Sequence, residues 1–170
     1  MRLAWARVMS RAFEEHTGEV RLRLQADSLP GLFEEAALAV AELMCTERPE
    51  LGGGALPVRV GARDREALLA AWVDELVFLS ETRKRVWSEA RVERLTDTEL
   101  VATVRGFEPV ALRTQIKAAT LHDLSIAETA PGSFEAAPQA ITTSARPKKT
   151  DATARRETPD IKTPEVLRSM

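Results

Sequence analysis

The sequence predicts an α+β fold, in which two helices pack on one face of a mainly antiparallel sheet. Three patterns indicate it: apolar and polar residues alternate over 19–26, apolar residues recur at helical spacing over 32–44 and 68–79, and alternation returns after position 85. The helical segments lie in the first half of the chain, and the later strands are joined by tight turns. We therefore expect hairpins rather than parallel strands with helical crossovers.

The first elements can be bounded from local signals. The strand over 19–26 places aliphatic residues on one face and polar residues on the other. Ser28 is a suitable N-cap for the first helix, with Pro30 tolerated in its first turn, and Asp64 is a suitable N-cap for the second helix. Residues 48–55 contain a proline and three glycines, which predicts a flexible loop.

The second half is predicted to contain three strands and a tail. Segments 86–95 and 99–106 form a hairpin, and a third strand covers 116–126. Residues 128–170 are rich in Pro, Thr, Ala and Lys and poor in bulky apolar residues, so we expect a disordered tail and a domain covering 11–127. Because Pro138 cannot donate to a ladder, we expect any strand before it to stop there.

Composition restricts the function classes. The chain has 170 residues, enough for one domain with a core, and a net charge of −2, which gives no case for avid nucleic-acid binding. No apolar run could span a membrane, and Arg7 interrupts what would be a signal peptide, so we expect a cytoplasmic protein. Cys45 is the only cysteine and is expected to be a buried, inert thiol.

Few residues are candidates for chemistry. His16 and Glu19 lie three apart at a strand entrance, and His122 and Asp123 lie near the end of a later strand; together they could form a metal site. The spacing matches no zinc pattern, and a buried structural role is the simpler interpretation for His122. Lys117 falls on the opposite strand face, where solvation is the simplest role. No nucleophile motif is present, so we do not expect an enzyme.

Four segments in order resemble the archease family. The turn 16–19 reads His-Thr-Gly-Glu where the family has His-Thr-Ala-Asp; segment 72–79 is similar to its second helix; 104–106 looks like a strand that ends in Gly; and 116–124 is close to its Lys-Ala-Val-Thr-Tyr-His-x-Leu strand. The likeness extends from about position 13 to 126.

This resemblance implies an accessory protein of the RtcB-type RNA ligase, which joins RNA ends in tRNA splicing and RNA repair using GTP. The family promotes ligase guanylylation and turnover, and it meets RNA through the ligase. Its calcium or magnesium ligands are the Asp of the turn and an Asp at the extreme C-terminus. At the position of the first ligand, this chain has Glu19. The second ligand has no counterpart, and Glu135 is the nearest substitute. The implied functional surface includes His16, Thr17, Lys117 and His122.

Two other functions remain open at this level. The same fold could be a binding module for another protein partner. A small metal-dependent hydrolase built on His16, Glu19 and His122 is the other alternative, with an imidazole as general base and a carboxylate to orient it.

Overall fold

The computed structural model describes residues 9–16, 19–47, 49–120 and 123–145. The elements of this part, in chain order, are β1 (Ser10–His16), β2 (Glu19–Ala26), α1 (Leu29–Met44), β3 (Gly52–Gly61), α2 (Arg65–Arg83), β4 (Val86–Leu95), β5 (Glu99–Phe107), β6 (Thr114–Thr120), β7 (Ser125–Ala130) and β8 (Ser133–Ala145). Residues Thr17 and His122, and the segment 146–170, lie outside the described residues.

The predicted α+β class is confirmed, with two sheets in place of the single sheet expected. All described strand pairs are antiparallel. One sheet has five strands in the order β1-β2-β8-β6, with β7 also paired to β8, and the other has three strands in the order β3-β5-β4. Helix α1 contacts β2 and β4, and α2 contacts β6 and β3, so each helix packs against both sheets.

Both helices begin at the predicted caps. The Ser28 side chain accepts a hydrogen bond from the backbone N–H of Gly31 at 3.1 Å, and Asp64 accepts from Ala67 at 2.7 Å. The helices are joined in the core by Trp72, which is fully buried and donates from Nε1 to a backbone carbonyl of α1 at 2.9 Å. None of the described helices is long and apolar enough to cross a membrane.

Strand β2 follows the predicted alternation. Val20, Leu22, Leu24 and Ala26 are buried, and the residues between them are half-buried or exposed. Its neighbour β1 was not predicted. Strand β1 pairs with β2 from Glu19 to Gln25, and an ion pair between Arg11 and the buried Glu35 connects it to α1. Burial lowers the pKa of Arg11, but hydrogen bonds from it to Glu35 and Glu42 raise that pKa above its usual value overall.

The predicted domain end at 127 is wrong, because β7 and β8 extend the sheet to Ala145. Strand β8 lies between β2 and β6 in the five-stranded sheet. Pro138 does not end this strand, because it lies in a β-bulge. The two strands pair at Leu22–Gln139 and again at Leu24–Ala136, and between these pairs β8 has two residues where β2 has one. On the other side of β8, strand β7 pairs with β8 residues up to Ala137, and β6 pairs with β8 residues from Ala140 onward. Neither pairing therefore requires a backbone N–H at Pro138.

The predicted third strand over 116–126 is divided into β6 and β7. Asp123 adopts a left-handed backbone conformation with φ of 57°, which a continuous strand does not accommodate. The glycine loop predicted over 48–55 is also partly wrong, since the three glycines begin β3. A side chain at Gly53 would overlap the guanidinium of Arg85, so the glycines there allow a close approach by that group.

Candidate functional site

Three of the predicted site residues, His16, Glu19 and Lys117, lie at one end of the five-stranded sheet. Glu19 at the start of β2 pairs with His16 on β1 and with Thr142 on β8, and Thr142 pairs in turn with Ala118 on β6. Four neighbouring strands therefore contribute one lateral row. At the usual strand spacing, the Cα atoms of Glu19 and Ala118 are about 10 Å apart.

Glu19 lies on the outer face of the sheet. The next row, formed by Val20, Ile141 and Ala119, is buried against the helices. Because successive side chains alternate across a strand, Glu19 lies on the opposite face from Val20, and it is half-buried. The predicted carboxylate is thus outside the core.

Lys117 is brought to the same end by a bulge in β6. Ile116 pairs with Thr143 and Ala118 with Thr142, so Lys117 is the extra residue, and it is exposed. Asp74 of α2 fixes this bulge by accepting a hydrogen bond from the backbone N–H of Ala119 at 2.7 Å. The bulge places the exposed Lys117 directly before Ala118, which belongs to the Glu19 row.

Sequence reasoning missed two positions of this region. Thr142 was assigned to a disordered tail, although its backbone pairs directly with Glu19. Asp74 lies in segment 72–79, which is similar to the second helix of the archease family. A charged residue next to the apolar stripe of this helix was the signal that could have indicated a polar role. The place of Thr142 beside Glu19 could have been found only from the pairing register of two strands that are distant in sequence.

Several predicted residues are not joined to the site by the structure. His16 is placed there through its backbone pairing alone, and Thr17 and His122 lie outside the described residues. Glu135, the nearest substitute for the second ligand, pairs near the opposite end of β2, about 20 Å along the strand from Glu19. It hydrogen-bonds Arg23 at 3.2 Å, so its assignment as a partner of Glu19 is wrong.

The described residues do not fit a divalent cation. Across the described ranges, no three His, Cys, Asp or Glu residues gather into a group that could hold a metal ion. Calcium takes six to eight oxygen ligands, and magnesium demands near-ideal octahedral geometry. The residue of β8 that pairs with Glu19 is Thr142, which carries no carboxylate.

Comparison with known proteins places this geometry in a family. The model of the Archease protein family matches residues 12–138, three quarters of the chain, from β1 into β8. The chain belongs to the archease family. Protein archease of Methanosarcina acetivorans is 31% identical over 126 residues, covering 69% of this chain and 86% of that protein.

Two solved structures share the fold of this chain. A solution structure of a Methanobacterium thermoautotrophicum protein has a TM-score of 0.61 and 27% identity, and the match covers 78% of this chain and 96% of that one. The crystal structure of an archease from Thermotoga maritima, described as a possible chaperone, has a TM-score of 0.52 at 21% identity and supports the fold alone. That match covers 80% of this chain and 98% of the other.

Proposed function

We propose that this archease is a cytoplasmic accessory protein of an RtcB-type RNA ligase, promoting ligase guanylylation and repeated turnover in tRNA splicing or RNA repair. The observation that supports it is the family match over residues 12–138, which spans both sheets and both helices. The chain also spans 86% of the length of its Methanosarcina acetivorans relative, so it retains most of an archease domain.

The contact surface in this proposal is the end of the five-stranded sheet that carries Glu19 and Lys117. Both side chains reach solvent, and they present one negative and one positive charge on a rigid scaffold. Complementary charges on a ligase surface would set the rate and register of association more than its strength. RNA would be met through the ligase, because the chain's net charge of −2 offers little direct attraction to phosphate.

The experiment measures the rate at which GTP forms the ligase–GMP adduct with and without the full chain. We expect the chain to accelerate the reaction, and Lys117→Glu to reduce that effect at least about fivefold, as is typical when a contact charge is reversed. Arg91→Glu is the matched control, because Arg91 is exposed on β4 in the other sheet.

The outcomes separate the possibilities. An unchanged adduct rate over a range of chain concentrations would exclude activation of the ligase tested. An equal loss in both charge-reversal variants would retain the activation but place the contact elsewhere than the end of the five-stranded sheet.

A further inference from the structure

A cleft of about 400 Å³ opens on the side of the molecule where the C-terminal ends of α1 and α2 meet the loop 108–112. Its apolar wall includes Met44, Leu112 and Ile116, and its polar wall includes Lys84 and Arg85. This volume lies within the range of small-molecule sites, which are mostly apolar with a few charged groups that orient the ligand.

Arg85 is a half-buried cation that lacks an anionic partner. Its Nη2 donates to the carbonyl of Gly106 at 3.1 Å, and its guanidinium carbon lies 5.9 Å from the centroid of the Trp87 ring. Its Nε–H is buried without an acceptor, and no carboxylate among the described residues forms an ion pair with it. Apart from the Nη2 bond to Gly106, no acceptor among the described residues satisfies the N–H groups of this guanidinium, and a ligand carboxylate in the cleft would supply one.

The charges around the cleft select the ligand's charge. Lys84 adds a second cation from the left-handed C-cap of α2, with φ of 56°. Glu81 and Glu108 also line the cleft, so its formal charge is balanced before a ligand binds. A dianion such as phosphate would meet two nearby carboxylates, whereas a single negative charge placed on the guanidinium would meet less repulsion.

We propose that this cleft binds a monocarboxylate carried on a small apolar group. The planar fork of Arg85 holds the carboxylate, Lys84 adds a second positive charge nearby, and the apolar group packs against Met44 and the exposed Val110. Such a group occurs on a free short-chain acid or on the last residue of a peptide. The site does not depend on a ligase partner.

The test is a titration of the full ¹⁵N-labelled chain followed by NMR. Hexanoate is expected to shift the Arg85 Nε–H resonance and the amides of 110–112 saturably, and hexanol, which lacks the charge, is expected to bind at least tenfold more weakly. N-acetyl-leucine, which resembles a peptide C-terminus, is the second arm. The tighter of the two carboxylates identifies the source, and saturable binding of either one supports the site.

Variants assign the carboxylate contact. Gln115→Glu adds a negative charge at the exposed edge of the cleft and should weaken hexanoate binding about tenfold. Lys84→Asn, which tolerates the left-handed backbone, should weaken it about threefold, and Arg83→Asn, an exposed cation outside the cleft, is the matched control.

Arg85→Lys keeps the charge but loses the fork, and it should weaken binding at least fivefold. If that variant fails to fold, the Gln115→Glu and Lys84→Asn results decide. Equal affinity for hexanoate and hexanol, no saturable shift at the Arg85 side chain, or equal effects of Lys84→Asn and Arg83→Asn would each overturn the proposal.

Discussion

Replacing Ile141 by alanine tests whether β8 is a central strand of the domain. Ile141 is fully buried and pairs with Val20 on β2 and Ala119 on β6. Removing three carbons from such a site costs about 2–5 kcal/mol, through lost burial and the cavity that remains. The strands on both sides are held by their ladders and cannot move in to fill the space, so we expect about 3 kcal/mol.

The assay is urea unfolding of the full chain, monitored by tryptophan fluorescence. With a slope of about 2 kcal/mol per molar urea, the midpoint should fall by about 1.5 M. Val110→Ala is the control, since Val110 is 96% exposed and its truncation should change stability by less than about 0.5 kcal/mol. A midpoint for Ile141→Ala that matches the Val110→Ala control would show that β8 is not part of the core.

Gly106→Ala should destabilise the fold by at least about 2 kcal/mol in the same assay, because a Cβ there would overlap the carbonyl oxygen of Val86, whereas Gly54→Ala should be nearly neutral. Arg11→Met leaves the buried Glu35 unpaired and should cost about 3–5 kcal/mol in thermal unfolding; a loss below that range would show that water solvates the carboxylate. Calorimetry with calcium should show only weak binding, and submicromolar affinity abolished by Glu19→Gln would refute the missing-ligand assignment.

The elements that the sequence predicted well are those whose burial is periodic. Strand β2 alternates strictly, and α1 and α2 each carry an apolar stripe behind a side-chain cap, so local signals suffice for them. Strand β8 could not be found in this way. It is rich in Ala and Thr, contains Pro138, and has few large apolar residues in its sequence. Its stability comes from pairing with strands distant in sequence.

The candidate site was predicted in part for the same reason. The proximity of His16 and Glu19 could be predicted, because hairpin ends are local, and the position of Glu19 on the outer face follows from the alternation of β2. The proximity of Lys117 to Glu19 depends on the bulge in β6 and on the intervening strand β8. Neither the bulge nor the hydrogen bond from Ala119 to Asp74 has a local sequence signature.

The decisive measurement is the number of RNA joints made by each RtcB-type ligase molecule when RNA ends are in large excess over the ligase. With the full chain present, each ligase molecule should complete many cycles, and without it the reaction should slow after about one. The measurement is made at concentrations where the two proteins are shown to bind. An accessory role for this archease would be contradicted if each ligase molecule made the same number of RNA joints with and without the chain.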